Sequence, residues 1–178
     1  VLDYLVEEVL DQQPPALRAF LEQTSILERM TGSLCDAVRF GTARLQSSAA
    51  MLAQLERANL FVVPLDDERE WYRYHSLFAD LLQSTLRQSA SPDEIRALQR
   101  RAGEWHQERG MLEEAVRYAL AAEEYEGAAS ILERNLLAML YRSGTPTFLG
   151  WLEQLPQPLQ TAGLTWETDR RSLKVIAP

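Results

Sequence analysis

Among the residues able to do chemistry in this chain, His75 stands in the most pointed context. It lies in the run EREWYRYHSLFADLLQ, Glu68 to Gln83, where a strongly aromatic stretch gives way to an amphipathic one. Four roles suit an imidazole there: a packing residue, a general base, a metal ligand, or a hydrogen-bond donor to an anion brought from elsewhere. The only other histidine, His106, follows Trp105 in a helical pattern and reads as a packing or surface residue. Cys35 is the sole cysteine; on an apolar helix face it reads as a small buried hydrophobe and has no partner for an internal disulfide. One cysteine and two distant histidines give no metal-ligand spacing, so no metal site is expected.

Catalysis finds little support. The chain contains no G-x-x-x-x-G-K-[ST] run, and its only lysine, Lys174, lies near the end, so no phosphate-cradling loop is present. The carboxylate pairs Glu113/Glu114 and Glu123/Glu124 fall on helix faces that read as solvated. We expect a non-enzymatic segment with no catalytic residue and no cofactor of its own.

Charge narrows the partners. A net charge of −8 opposes nonspecific attraction to nucleic acid or to an anionic membrane, because phosphate contacts need clustered Lys and Arg. No apolar run approaches the length that spans a bilayer, and no signal-peptide pattern opens the chain; a cytoplasmic location is expected. At 178 residues, 46% hydrophobic and 25% charged, the chain is long enough to bury a core in one large or two small domains.

The elements that must carry His75 follow from periodicity. Leu2, Leu5, Val6, Val9 and Leu10 share one helical face, so residues 1–14 read as a helix continuing from a missing upstream domain. Pro14 and Pro15 then start a helix with Leu17, Phe20 and Leu21 on one face. A second helix, LCDAVRF, ends at Gly41, and a third, SSAAMLAQLERANL, carries Met51, Leu52, Leu55 and Ala58 at helical spacing. The period changes to two in LFVVPL and WYRYH, which flank the polar turn DDERE and predict a β-hairpin with Pro64 on an edge. Three helices followed by a hairpin is the order of a winged-helix domain, here expected over residues 15–90.

The turn QSASP separates this domain from a wholly helical region, residues 91–159, read as tetratricopeptide-like hairpins in four blocks. Gly110 and Gly144 are 34 positions apart, the period of that repeat, and each closes a helix. Residues 160–178 fit neither a further repeat nor a strand and are taken as an irregular tail. The expected fold class is therefore mainly α: a winged helix, then helical hairpins.

Many winged helices bind DNA, yet the wing tip here is Asp66, Asp67, Glu68, Arg69 and Glu70, and the third helix offers only Arg44 and Arg57. No direct DNA contact is expected from this segment. His75 sits where a strand hands over to a helix, whose first N–H groups and dipole favour an anion. Residue chemistry alone leaves a satisfied core histidine and an anion contact both open.

Three stretches carry a resemblance: ANLFVVPLDDEREWYRYHSLFADLL, LQRRAGEWHQERGMLEEAVRYALAAEEYEGAASILE and LGWLEQLP resemble the middle of MalT-like regulators across about Val1 to Leu159. Those are large ATP-dependent transcription activators of the signal-transduction ATPase class, with a LuxR-type DNA-binding end. The resemblance implies an absent nucleotide-binding domain upstream as partner, ATP or ADP as the parent protein's cofactor, and a helical-repeat sensor open to an inducer or a regulatory protein. It further implies that His75 touches the β-phosphate of bound ADP and holds a resting state. The chain departs from many relatives in having Ser76 where they repeat the histidine, and from the family's helical continuation after about Gln160. A protein-interaction scaffold without nucleotide sensing is the alternative expectation, and a DNA-binding winged helix comes behind it.

Overall fold

The structure is a computed structural model that describes residues 10, 12–41, 47–58, 61–157, 159, 165–169 and 172–176. The expectations resting on Leu2, Leu5, Val6, Val9 and Arg44 lie outside the described residues. Of the opening helical face Leu10 is described, and it is buried.

The chain divides into two compact units, Val1–Ala102 and Gly103–Pro178. In the first, α1 (Pro15–Thr24) opens with a proline in its first turn, where a missing N–H costs nothing, and buries Phe20, Leu21 and Thr24. Helix α2 (Gly32–Phe40) is capped by Thr31, whose Oγ1 accepts from the Leu34 N–H at 3.1 Å. It stops at Gly41, whose φ of +75° places it in the left-handed region that terminates helices. Helix α3 (Ser47–Arg57) approaches α2 so closely that a Cβ on Gly32 would stand 2.6 Å from the Ala49 Cβ.

Strands β1 (Val62–Pro64) and β2 (Tyr72–Tyr74) pair antiparallel, Val62 with Tyr74 and Pro64 with Tyr72. This is the hairpin that the period-two pattern anticipates. The far edge of β2 bonds to Met30: the Met30 N–H donates to the Tyr72 carbonyl at 2.7 Å and the Tyr72 N–H to the Met30 carbonyl at 2.8 Å. β2 is thus tied on both sides, which pins the wing to the turn between α1 and α2. Helix α4 (Ser76–Ser89) follows at once and buries Phe78, Leu82 and Leu86 against the three-helix core. Three helices, a two-stranded wing and a helix after it make a winged helix.

Helix α5 (Pro92–Glu108) begins with a capping box, the Ser91 hydroxyl and N–H donating to Glu94 while Ser91 Oγ accepts from the Glu94 N–H. The division between units falls within α5, after Ala102. In the second unit, α6 (Leu112–Ala121), α7 (Tyr125–Arg134) and α8 (Leu136–Glu153) pack around Val116, Ala128, Leu132, Met139, Phe148 and Trp151. Small residues allow the close approach: a Cβ on Gly103 would sit 3.4 Å from the Ala115 carbonyl oxygen. Trp105 and His106 are both buried, His106 stacking on Tyr118 at 5.2 Å.

Two details differ from the sequence reading. The block EGAASILERNLLAMLYRSG is interrupted at Asn135, where the side-chain amide donates to the Ile131 carbonyl at 2.9 Å and φ is −120°. An asparagine that bonds its own backbone competes with the helix, and the chain breaks there. The second break, at Gly144 (φ +77°) before Pro146, is the one the glycine spacing marks. In addition, the stretch taken as an irregular tail contains a hairpin, β3 (Thr165–Asp169) antiparallel to β4 (Ser172–Ile176). Thr165, Thr168, Val175 and Ile176 supply β-branched residues, and Ser172, Leu173, Lys174 and Val175 alternate polar with apolar, a short signal that the sequence reading passed over.

Candidate functional site at the wing-to-helix corner

The corner that carries His75 is built by alternation along β2. Tyr72 and Tyr74 point inward and are buried, whereas Arg73 and His75 face out. Tyr74 is fixed from two directions. Its ring packs edge-on against Phe78 at 5.8 Å, and its hydroxyl lies 2.7 Å from Thr24 Oγ1 on α1. Phe61 stacks on the other side of this cluster, 4.7 Å from Phe78, with a φ of +57° that turns the chain into β1.

His75 is the N-cap residue of α4, with φ −60° and ψ 138°, and its side chain makes no capping hydrogen bond. Its backbone is fully used: the N–H donates to the Phe61 carbonyl at 2.8 Å and the carbonyl accepts from the Ala79 N–H at 2.9 Å. The imidazole is exposed, so the reading of His75 as a satisfied core histidine does not hold. The first turn of α4 carries no acidic residue, leaving the positive end of the helix dipole uncancelled within that turn. Apolar side chains surround this corner in the open: Phe61 and Val63 are each 37% exposed, Leu65 42% and Leu77 56%. Exposed apolar surface thus lies beside the exposed, non-capping imidazole.

The wing tip uses one of its acids internally. The Asp66 carboxylate accepts from the Glu70 N–H at 2.8 Å and the Trp71 N–H at 3.1 Å, closing the turn. Asp67, Glu68 and Glu70 remain exposed. Arg69 leans back to Glu56 at 3.4 Å, and Arg57 donates to its own helix at the Ala53 carbonyl. Glu56 also accepts from the Tyr72 hydroxyl at 3.2 Å, and that burial and carboxylate together hold the Tyr72 phenol above its ordinary range.

Other residues singled out from the sequence stay apart from this corner. Cys35 is completely buried, and burial pushes its thiol far above its ordinary value, as expected of an inert packing residue. Glu113 accepts from the Ser143 hydroxyl at 2.6 Å within the helical unit. Among the described residues no group of His, Cys, Asp or Glu is placed to hold a metal ion, and no helix is long and apolar enough to cross a membrane. Sequence reasoning passed over Arg39 and Arg101, which meet across 62 residues and left no local signal.

A three-helix core with a wing returning to a further helix defines the class: a winged-helix domain, carried here ahead of α-helical hairpins. More specifically, the profile of the MalT winged helix domain matches residues 6–95, and the chain belongs to that family. The serine/threonine-protein kinase PknK of Mycobacterium tuberculosis is 36% identical over 154 residues, covering 86% of this chain and 13% of the kinase. The HTH-type transcriptional regulator MalT of Vibrio cholerae is 35% identical over 156 residues, 88% of this chain and 17% of the regulator. MalT of Klebsiella pneumoniae is 34% identical over 164 residues, with 92% and 17% covered. The chain thus spans less than a fifth of the length of these relatives.

Proposed function

We propose that this chain is the coupling segment of a larger ATP-dependent regulator of transcription. In this reading its winged helix reports the nucleotide state of an upstream domain to a tetratricopeptide-like sensor formed by residues 91–159. The observation that carries the proposal is the exposed, uncapped imidazole of His75 at the start of α4. A histidine spending an N-cap position without capping offers its N–H outward, beside backbone N–H groups that favour an anion. Under this reading the phosphates of ADP, held mainly by the upstream domain, are that anion, and Phe61, Val63, Leu65 and Leu77 are the apolar rim of the contact. The exposed acids of the wing tip support a role without DNA contact. ADP and ATP belong to the parent protein; one histidine is no nucleotide site.

The relatives support a shared coupling role, since the matching segment occurs in proteins named as a kinase and as transcriptional regulators. A segment common to such different outputs serves the control of output better than the output itself. The scaffold alternative, recognition of a partner protein without nucleotide sensing, draws on the same apolar rim. Replacing His75 by Ala in the parent separates the two. The coupling role predicts faster ADP release and raised inducer-independent transcription, through a loss of ~1–3 kcal/mol of coupling. Unchanged ADP release with an intact winged helix favours the scaffold.

A further inference from the structure

The first unit holds an open cleft of about 260 Å³ between α1, α2, α4 and the start of α5, away from the wing corner. Its walls are apolar where Ala19, Leu86, Ala97 and Leu98 line it, and two arginines, Arg39 and Arg101, line it as well. Arg39 is positioned by its Nε, which donates to Gln23 Oε1 at 3.2 Å, and by the faces of Phe20 and Phe40, over which its guanidinium lies at 5.2 and 4.7 Å. Arg101 is positioned by its Nη1, which donates to the Val38 carbonyl at 3.0 Å, at the C-terminal end of α2.

Each guanidinium keeps donors in hand. The side-chain hydrogen bonds of Arg39 and Arg101 use the Nε of the first and the Nη1 of the second, and the charge of the neighbouring Asp36 acts on Arg39. The two acids of the cleft are otherwise engaged, Glu22 with Arg18 at 2.8 Å and Glu94 in the capping box with Ser91. Partial burial lowers Arg39 from its ordinary value, the mark of a charge desolvated without full compensation.

We propose that this cleft binds a small organic monocarboxylate, its carboxylate held by Arg39 and Arg101 and its short apolar body laid on Ala19, Leu86, Ala97 and Leu98. Guanidinium forks match a planar carboxylate by paired hydrogen bonds. A phosphate dianion suits the cleft less well, because Glu22 and Glu94 line it too. The site lies at the C-terminal end of α4, the helix that starts at His75, so a ligand there would brace the helix that carries the wing corner.

Titrating the 178-residue chain with hexanoate, and following the arginine side-chain resonances by NMR, tests the proposal. The expected result is a saturable shift of the Arg39 and Arg101 signals at millimolar hexanoate, absent with the neutral isostere hexanamide and weaker with inorganic phosphate. Arg39→Gln should weaken hexanoate binding about tenfold, with Arg39→Lys as a second variant that keeps the charge and loses the fork; melting curves report whether each is folded. The proposal is overturned if hexanoate produces no saturable shift, if hexanamide or phosphate binds as well, or if folded Arg39→Gln and Arg39→Lys bind hexanoate like the parent chain. Binding of an acidic peptide in place of hexanoate would also overturn it, marking the cleft as a docking point for another protein segment.

Discussion

The hydroxyls of Thr24 and Tyr74 lie 2.7 Å apart, both buried, joining α1 to the last residue of β2. Thr24 Oγ1 also donates to the Phe20 carbonyl at 2.7 Å, so the Tyr74 hydroxyl is the donor in the pair. This link fixes the backbone immediately before His75. Removing the two partners should therefore have unequal effects. Tyr74→Phe deletes a donor and leaves no buried group unsatisfied, costing about 1 kcal/mol; Thr24→Val strands the buried phenol and should cost ~1–3 kcal/mol. Urea unfolding of the two variants checks the order, and equal losses would mean that the phenol finds another acceptor.

Stability should decline in alkali. Burial pushes the Cys35 thiol up from its ordinary 9.0, with the Asp36 charge adding to it, and pushes the Tyr74 phenol up from 10.0. The unfolded chain releases these protons at the ordinary values while the folded chain retains them. The contribution is thus fully present below about pH 9 and is lost as pH rises beyond it. Denaturation midpoints measured between about pH 8 and pH 10.5 should fall, and Cys35→Ala should flatten the first part of that slope.

His75 should be dispensable for folding. Its imidazole is exposed and caps nothing, so His75→Ala should change stability by less than about 0.5 kcal/mol. His75→Asn places a good capping group where the backbone dihedrals already suit one, and should stabilise by about 1 kcal/mol. Thermal melts of the three chains decide this; a large loss in His75→Ala would return the residue to a structural role.

Gly32 is required by contact rather than by its dihedrals. With the Ala49 Cβ only 2.6 Å from where its own Cβ would stand, Gly32→Ala should cost ~1–3 kcal/mol. Pairing it with Ala49→Gly should recover part of that loss in a double-mutant cycle, and purely additive effects would show that the helices separate instead.

In the helical unit, Trp105 is 5% exposed and carries the Arg109 guanidinium over its ring at 3.9 Å. Trp105→Ala should cost ~3–5 kcal/mol, with loss of the His106–Tyr118 stack visible in the ring-proton shifts.

Much of this architecture is local and therefore written along the chain. The alternation of Tyr72 and Tyr74 against Arg73 and His75 determines which faces of β2 turn inward, because side chains alternate across a strand whatever lies beyond it. Gly41, Gly110 and Gly144 mark breaks because each adopts a positive φ, a conformation that glycine reaches without penalty. Proline at the head of α1 and the Ser91–Glu94 box at the head of α5 are signals of the same local kind. The sequence likewise determines that His75 stands between a strand and a helix.

Tertiary structure alone decided the rest, because it rests on pairs distant in sequence. Thr24 meets Tyr74 across 50 residues and Arg101 reaches Val38 across 63, and nothing in either neighbourhood announces the partner. Whether His75 is buried or exposed was undetermined by its aromatic neighbours. It was decided when Tyr74 locked inward onto Thr24 and Phe78, which leaves the next residue of an alternating strand no direction but outward.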